Sequence, residues 1–386
     1  MKLHKILIIS QVIPQWYVDL LISALPENTE IDCITASDVK KVNKIESPQY
    51  ITSSFKTKFI SWIRHCIFVL KWAKKNKKNQ YDMIFAVSNP PLNAFIGVKL
   101  KKMFKAPFVF MNWDIYPHSI EAAFKNPIIR FACKIWHKLN NKYYPQIDRL
   151  ITIGEIMSES INSGLKKKID ITVLPIAADT DKIRPVLPEE NIFRTQNALE
   201  EKFVVLYSGN MGYGHNIGII LDAAGKLIDD KNISFVLIGE GQQYESIKNR
   251  LETDGLENVK LFSWQPADIF PYSVACGDIA IVTEETAHAH LFMPSRSYSM
   301  MSAGEAIIGV CSDYDDLNRL ITRYEIGEIV TDSNVDTLVE KIKSFAENPD
   351  KLKGCQQKAR KVAEEVYSIP VISSGYKKIF DELLTK

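Results

Sequence analysis

Short apolar runs alternate with longer amphipathic stretches along almost the whole chain. In the first half the runs are KILIIS, IDCITA, DMIFAVS, PFVFMNW and DRLITIG, each followed by a stretch of helical periodicity. That rhythm belongs to buried parallel strands joined by helical crossovers. Beyond polar ground near residue 190 it restarts with FVVLYSG, SFVLIGEG, NVKLFSW, DIAIVTE and EAIIGV. Between the two series, LPIAADTDKIRPVLPEENIF (Leu174 to Phe193) carries Pro175, Pro185 and Pro188 among polar residues and breaks both periodicities. The pattern therefore predicts an α/β protein of two doubly wound domains, residues 1–184 and 185–369, with the boundary near Pro185. Late in the chain Val335 to Phe345, Pro349 to Tyr367 and Ser373 to Leu384 read as helices, Pro370 separating the last two. A C-terminal helix within 370–386 is free to pack back on the first domain.

Length agrees with two domains, since 386 residues exceed what one hydrophobic core usually supports. With 46% hydrophobic and 24% charged residues, the chain can bury sizeable cores and is not a disordered polymer. No apolar run approaches the roughly 20 residues that cross a bilayer. The start, MKLHKILIISQV, runs straight into a strand without a cleavage site, so a cytoplasmic protein is expected. The six cysteines are dispersed and predict neither a disulfide framework nor a zinc site. Neither Asp179-Thr-Asp181 nor His288-Ala-His290 completes a ligand set, and no metal or other cofactor is expected.

Charge changes the picture more than composition does. Residues 1–190 hold 28 Lys+Arg against 17 Asp+Glu, whereas 191–386 hold 20 against 29, although the whole chain is only +2. The first half is the one suited to an anionic partner. Its most basic segment, Phe55 to Lys78, has eight cations and no acid, with Trp62, Phe68 and Trp72 at helical spacing. Such a helix suits peripheral contact with an anionic membrane, and reads equally as a core-packing helix with a solvated lysine face. No nucleic-acid recognition motif accompanies the charge.

Two segments of the second half suit a diphosphate. In FVVLYSGNMGYGHN an apolar run ends at Gly209, Gly212 and Gly214, with Asn210, Met211 and His215 in the loop. Glycines admit close backbone approach to an anion, though they also serve any tight strand-to-helix turn. Gly239, Glu240 and Gly241 repeat the arrangement after SFVLI. The sharper signal is MPSRSYSMMSAG, in which Pro294, Ser295, Arg296, Ser297, Tyr298 and Ser299 open a short helix. A cation in a first helical turn opposes the macrodipole unless an anion is also present. In the first half, FMNWDIYPHSIE places Asp114 and His118 just after a buried strand, as acceptor-orienting or proton-transferring groups or as a helix cap and an incidental imidazole.

Together these segments resemble glycosyltransferase family 4, most clearly over Leu174 to Gly327. LPIAADTDKIRP is similar to the family's linker, YSGNMG and LIGEG to its donor loops, MPSRSYSMMSAGEAIIG to its diphosphate segment, and WDIYPHS to the Asp-x-x-Pro segment of bacterial surface-polysaccharide members. The resemblance implies a GT-B fold, two facing Rossmann-like domains with a cleft between them, and a retaining glycosyltransferase. Its implied partners are a nucleoside-diphosphate sugar held by the second domain and a saccharide or polyprenyl-linked acceptor on the first. Asp114, His118 and Arg296 become the candidate catalytic residues. The family's common glutamate pair is replaced by Leu291 and Ser299, and Asn210 and His215 stand near its usual Arg and Lys. A 2-epimerase of the same fold and a catalytically silent sugar-nucleotide-binding protein are the alternatives.

Overall fold

The computed structural model describes residues 3–51, 53–212, 214–284, 290–331 and 333–385. His288 of the His-Ala-His pair lies outside them. The chain divides into two compact units, one of residues 1–175 with 372–386 and one of 176–371.

In the first unit the strands are β1 (His4–Ile9), β2 (Thr29–Thr35), β3 (Asn43–Glu46), β4 (Met83–Val87), β5 (Phe108–Asn112), β6 (Arg149–Thr152) and β7 (Ile171–Val173). They form one parallel sheet in the order β3-β2-β1-β4-β5-β6-β7. The second unit holds β8 (Phe203–Ser208), β9 (Ile233–Ile238), β10 (Val259–Phe262), β11 (Ile279–Thr283), β12 (Ala306–Val310) and β13 (Gly327–Val330), ordered β10-β9-β8-β11-β12-β13 and again parallel. The expected pair of doubly wound sheets is present. β3, β7 and β13 are additions, each a short edge strand without an unbroken apolar run, which hydrophobic patterning does not announce. Central strands such as β4, β5 and β9 are buried along their whole length, as sheets covered on both faces require.

The junction falls after Pro175, earlier than the boundary expected at 184/185. Residues following Pro175 are tied to the second unit by backbone bonding: Ala178 donates to the Tyr367 carbonyl at 2.7 Å, and the Arg360 guanidinium donates to the carbonyls of Thr180 and Ile183 at 3.0 and 2.9 Å. The prolines mark irregular backbone, not the place where contacts change sides. The last helix spans Ile369–Leu384 and so begins before Ser373. Pro370 sits in its first turn, where the missing N–H has no intrahelical acceptor to lose. Within the first unit Tyr376 packs against Tyr17 and Phe85, its hydroxyl 2.8 Å from that of Tyr17.

Each strand order reverses once, between β1 and β4 and between β8 and β11. Open α/β sheets bind ligands beyond the strand carboxyl ends at such a reversal. In the second unit that position lies past Ser208 and Thr283.

Candidate functional site

The loop leaving β8 is held by the end of β9 and the loop that follows it. Gly209 N–H donates to Ile238, Met211 N–H to the Glu240 carbonyl, and Gln243 Nε2 bonds the carbonyls of both Gly212 and His215, at 2.7 and 2.9 Å. The second loop lies directly on the first, because Gly239 and Gly241 have no side chain. A Cβ at Gly239 would stand 2.0 Å from the Gly209 oxygen, one at Gly241 2.5 Å from the Met211 carbonyl carbon, and both residues have strongly positive φ. Glycine is required there to stack two loops, a supporting role distinct from the donor contact expected of Gly239, Glu240 and Gly241.

Arg296 reaches over this platform from the first turn of the helix Arg296–Ala303. Its Nη2 donates to His215 Nδ1 at 2.6 Å and to the Thr283 carbonyl at 3.3 Å, and its guanidinium carbon lies 4.8 Å from the Tyr207 ring centroid. Because arginine only donates, His215 Nδ1 accepts and this imidazole carries its proton on Nε2. The other terminal nitrogen, Nη1, is buried and bonds nothing among the described residues. It faces Gly209, where a Cβ would come within 3.0 Å of it. A buried guanidinium N–H without an acceptor is costly, and an anionic oxygen above Gly209 would relieve it.

Gly209, Gly212, His215 and Arg296 are therefore brought together, the His215 N–H itself donating to the Gly212 carbonyl at 3.1 Å. Asn210 lies exposed on the same loop. Others of the expected set turn away. Met211 is fully buried in the core with its backbone bonds already made. Tyr298 is buried against Tyr367 at 5.1 Å, and burial pushes its phenol far up. Ser297 is buried and bonds the Pro294 carbonyl through both its hydroxyl and its N–H. That leaves the N–H groups of Ser295 and Arg296, and not the Ser297 N–H, at the helix start. Ser295 is exposed, Ser299 half-buried and Leu291 buried.

One residue unmarked in the sequence joins the site. Glu284 follows β11 at the sheet's carboxyl edge, is 2% exposed, and neither carboxyl oxygen has a hydrogen bond among the described residues. Burial, then the charge of nearby Asp315, push its carboxyl well above the usual range, while Arg296 pulls the other way. Asp315 caps the helix Asp316–Tyr324 by accepting from Leu317 N–H at 2.8 Å. A carboxyl raised in this way and lying near the arginine is suited to a sugar hydroxyl, to which it donates when protonated. Its available signal was an acid ending an otherwise apolar strand.

The raised value carries a pH consequence. Unfolded Glu284 titrates in the ordinary range, so between that range and its higher folded value the native state holds the extra proton. Its contribution to stability therefore falls as pH rises through this window. Glu284→Gln keeps the shape without the ionisation, and is expected to exceed the parent Tm by about 2–4 °C near pH 8. The gap should close near pH 5. Calorimetry at both pH values checks this, an equal gap at both being the contrary result.

In the first unit Asp114 and His118 stand in different surroundings. Asp114, in the loop after β5, has its carboxyl raised by burial, with Lys58 opposing, and it raises the phenols of Tyr50 and Tyr116. His118 opens the helix His118–Ala123 and packs edge-on against His137 at 4.8 Å, beside Gly164. Among the described residues no group of three potential ligands is placed to hold a metal ion.

Residues 188–362 match the family described as Glycosyl transferases group 1. WbjE of Pseudomonas aeruginosa, named a probable glycosyltransferase, is 24% identical over 261 residues, covering 68% of this chain and 64% of that protein. WcaI of Escherichia coli K12, named for glycosyl transfer in colanic acid biosynthesis, is 24% identical over 201 residues, 51% of this chain and 49% of that one. The chain thus spans less than two thirds of the length of either relative. Anabaena HepE, solved in complex with UDP, superposes with a TM-score of 0.76 at 15% identity over 98% of this chain and 100% of its own. The fold is GT-B.

Proposed function

We propose, on the premise that the second unit of this chain is a group 1 glycosyl transferase domain, that the protein moves a sugar from a nucleoside-diphosphate sugar to a saccharide or lipid-linked saccharide acceptor. The observation that carries this reading is the buried Nη1 of Arg296 above Gly209, without a partner among the described residues. Breaking the bond between the anomeric carbon and phosphate leaves negative charge on the diphosphate, and preorganised donors stabilise that charge as it develops. Arg296, the N–H groups of Ser295 and Arg296 and the Gly209 to Gly212 loop would do this without a resident metal. Glu284 would hold a donor-sugar hydroxyl.

Asp114 would orient the acceptor hydroxyl and take its proton, with retention of anomeric configuration, the outcome implied by the family resemblance. A site in the assembly of cell-surface polysaccharide fits the naming of WcaI. The 2-epimerase alternative draws no support from relatives named as transferases.

A thermal-shift screen of sugar nucleotides identifies the donor, because a ligand binding only the native state raises stability with its concentration. Release of nucleoside diphosphate only when an acceptor is added then separates transfer from epimerisation. Asp114→Asn is expected to slow transfer by about 10²–10⁴-fold while leaving the donor-induced shift intact. The parent's rate should rise with pH through a carboxyl value above the ordinary one, and the Asn variant should lose that limb. Loss of donor binding in Asp114→Asn would contradict its acceptor-side role.

A further inference from the structure

We propose that two helices of the first unit, Phe55–Lys75 and Pro127–Tyr143, form one surface that docks on an anionic lipid bilayer. The first helix buries Trp62, Cys66, Val69 and Ala73, yet leaves Phe59, Ile60, Ile63 and Ile67 exposed, Ile67 to 47%. Phe59, Ile63 and Ile67 recur every fourth residue and so line one face. The second helix repeats the arrangement. Cys133 and Trp136 turn inward, while Ile128, Phe131 and Ile135, three and four residues apart, stand 79%, 66% and 47% exposed.

The two stripes start from a common aromatic corner. Phe55 packs on Phe59 at 6.5 Å and on Phe124, just ahead of the second helix, at 4.7 Å. Behind them Trp62 meets Tyr116 at 5.6 Å, and Tyr116 stacks on Trp136 at 6.0 Å, so both helices rest on one packed aromatic column. Seven large apolar side chains facing water on two helices joined by this aromatic column exceed the scatter usual on a surface and mark an interaction site.

Charge selects the occupant. Neither helix contains an Asp or Glu. Lys56, Arg64 and Lys71 stand exposed on the first, and Arg130, Lys134 and Lys138 on the second. The acids nearest the second helix in sequence, Asp148 and Glu121, are already paired with Lys101 at 2.7 Å and with His137 at 3.1 Å. Apolar stripes flanked along their length by exposed cations match a plane that is hydrocarbon within and anionic at its surface. The sequence pointed to the first helix and to the cations Lys99, Lys101, Lys102 and Lys105, and the second helix comes from its exposure in the fold. Lys58 of the first helix faces Asp114, so a bilayer here would present a lipid-linked acceptor to that residue. This last connection rests on the transferase reading, whereas the docking itself does not.

The test is cosedimentation of the full chain with vesicles of phosphatidylcholine alone or with about 30% phosphatidylglycerol, at low and high salt. Binding to the anionic vesicles should be at least about tenfold tighter and should weaken with salt. Ile128→Ser/Phe131→Ser and Lys134→Glu/Lys138→Glu should each lose about tenfold with an unchanged Tm, since these side chains are exposed. Equal binding to neutral vesicles, no binding, or an apolar variant that binds like the parent would overturn the proposal. So would a lipid-free dimer that the apolar variant converts to monomer, since the face would then belong to a second copy. Nucleoside diphosphate binding by the same variants reports on the donor site separately, so failure of one reading leaves the other standing.

Discussion

Arg296→Ala should lower kcat by about 10²–10³-fold, the loss typical when one preorganised donor to a developing oxyanion is removed. The residue is half-buried and fixed by His215, Thr283 and the Tyr207 ring, so Nη1, which bonds nothing among the described residues, needs no reorganisation to meet a phosphate oxygen. The same fixation makes Arg296→Lys a poor substitute. An ammonium can restore charge but cannot bond His215 and Thr283 while also pointing at Gly209. The lysine variant should therefore recover only part of the rate. Truncation opens space beside Tyr207 without burying a new polar group, so Tm should change little. Steady-state kinetics with calorimetry checks both points. A fall in activity matched by a fall in Tm would make Arg296 structural.

Gly239→Ala carries the largest expected loss of stability, about 3–5 kcal/mol, from combining a φ that side chains rarely adopt with a backbone clash. The clash is specific, since the new methyl would meet the Gly209 oxygen at 2.0 Å. Neither loop can yield easily, because Gly209 N–H is bonded to Ile238 and Met211 N–H to Glu240. In a unit of this size the Tm should drop by roughly 10 °C. Gly214→Ala is the control, as nothing lies within 4 Å of the point its methyl would occupy. A Gly239→Ala protein with the parent Tm would show that the loops are not stacked in this way.

Much of the fold was legible because buried parallel strands are continuous apolar runs. β4, β5, β8, β9, β11 and β12 stand out for that reason, and the half-exposed edge strands β3 and β13 do not. Of the site, Gly209, Gly212, His215 and Arg296 were legible because glycines after a strand and a cation at a helix start conflict with local preference unless something offsets the conflict. The failures share a cause. Met211, Ser297 and Tyr298 occupy loop and helix positions whose facing depends on what packs behind them, and all three face the core. Glu284 was hidden because only the fold shows that the end of β11 lies beside Arg296 and close to the helix cap Asp315. The exposed stripe of Pro127–Tyr143 was hidden because Ile128, Phe131 and Ile135 have the spacing of a core-facing helix, and the face left open is decided by Cys133 and Trp136.

The most direct measurement is isothermal titration of the protein and its Arg296→Ala variant with a nucleoside diphosphate and the matching monophosphate, using the base selected by the thermal-shift screen. If the second phosphate lies between Gly209 and Arg296, the variant should bind the diphosphate about tenfold or more weakly, and the monophosphate almost as the parent does. Unchanged diphosphate affinity, or an equal loss for both nucleotides, would place the diphosphate elsewhere and contradict the assignment.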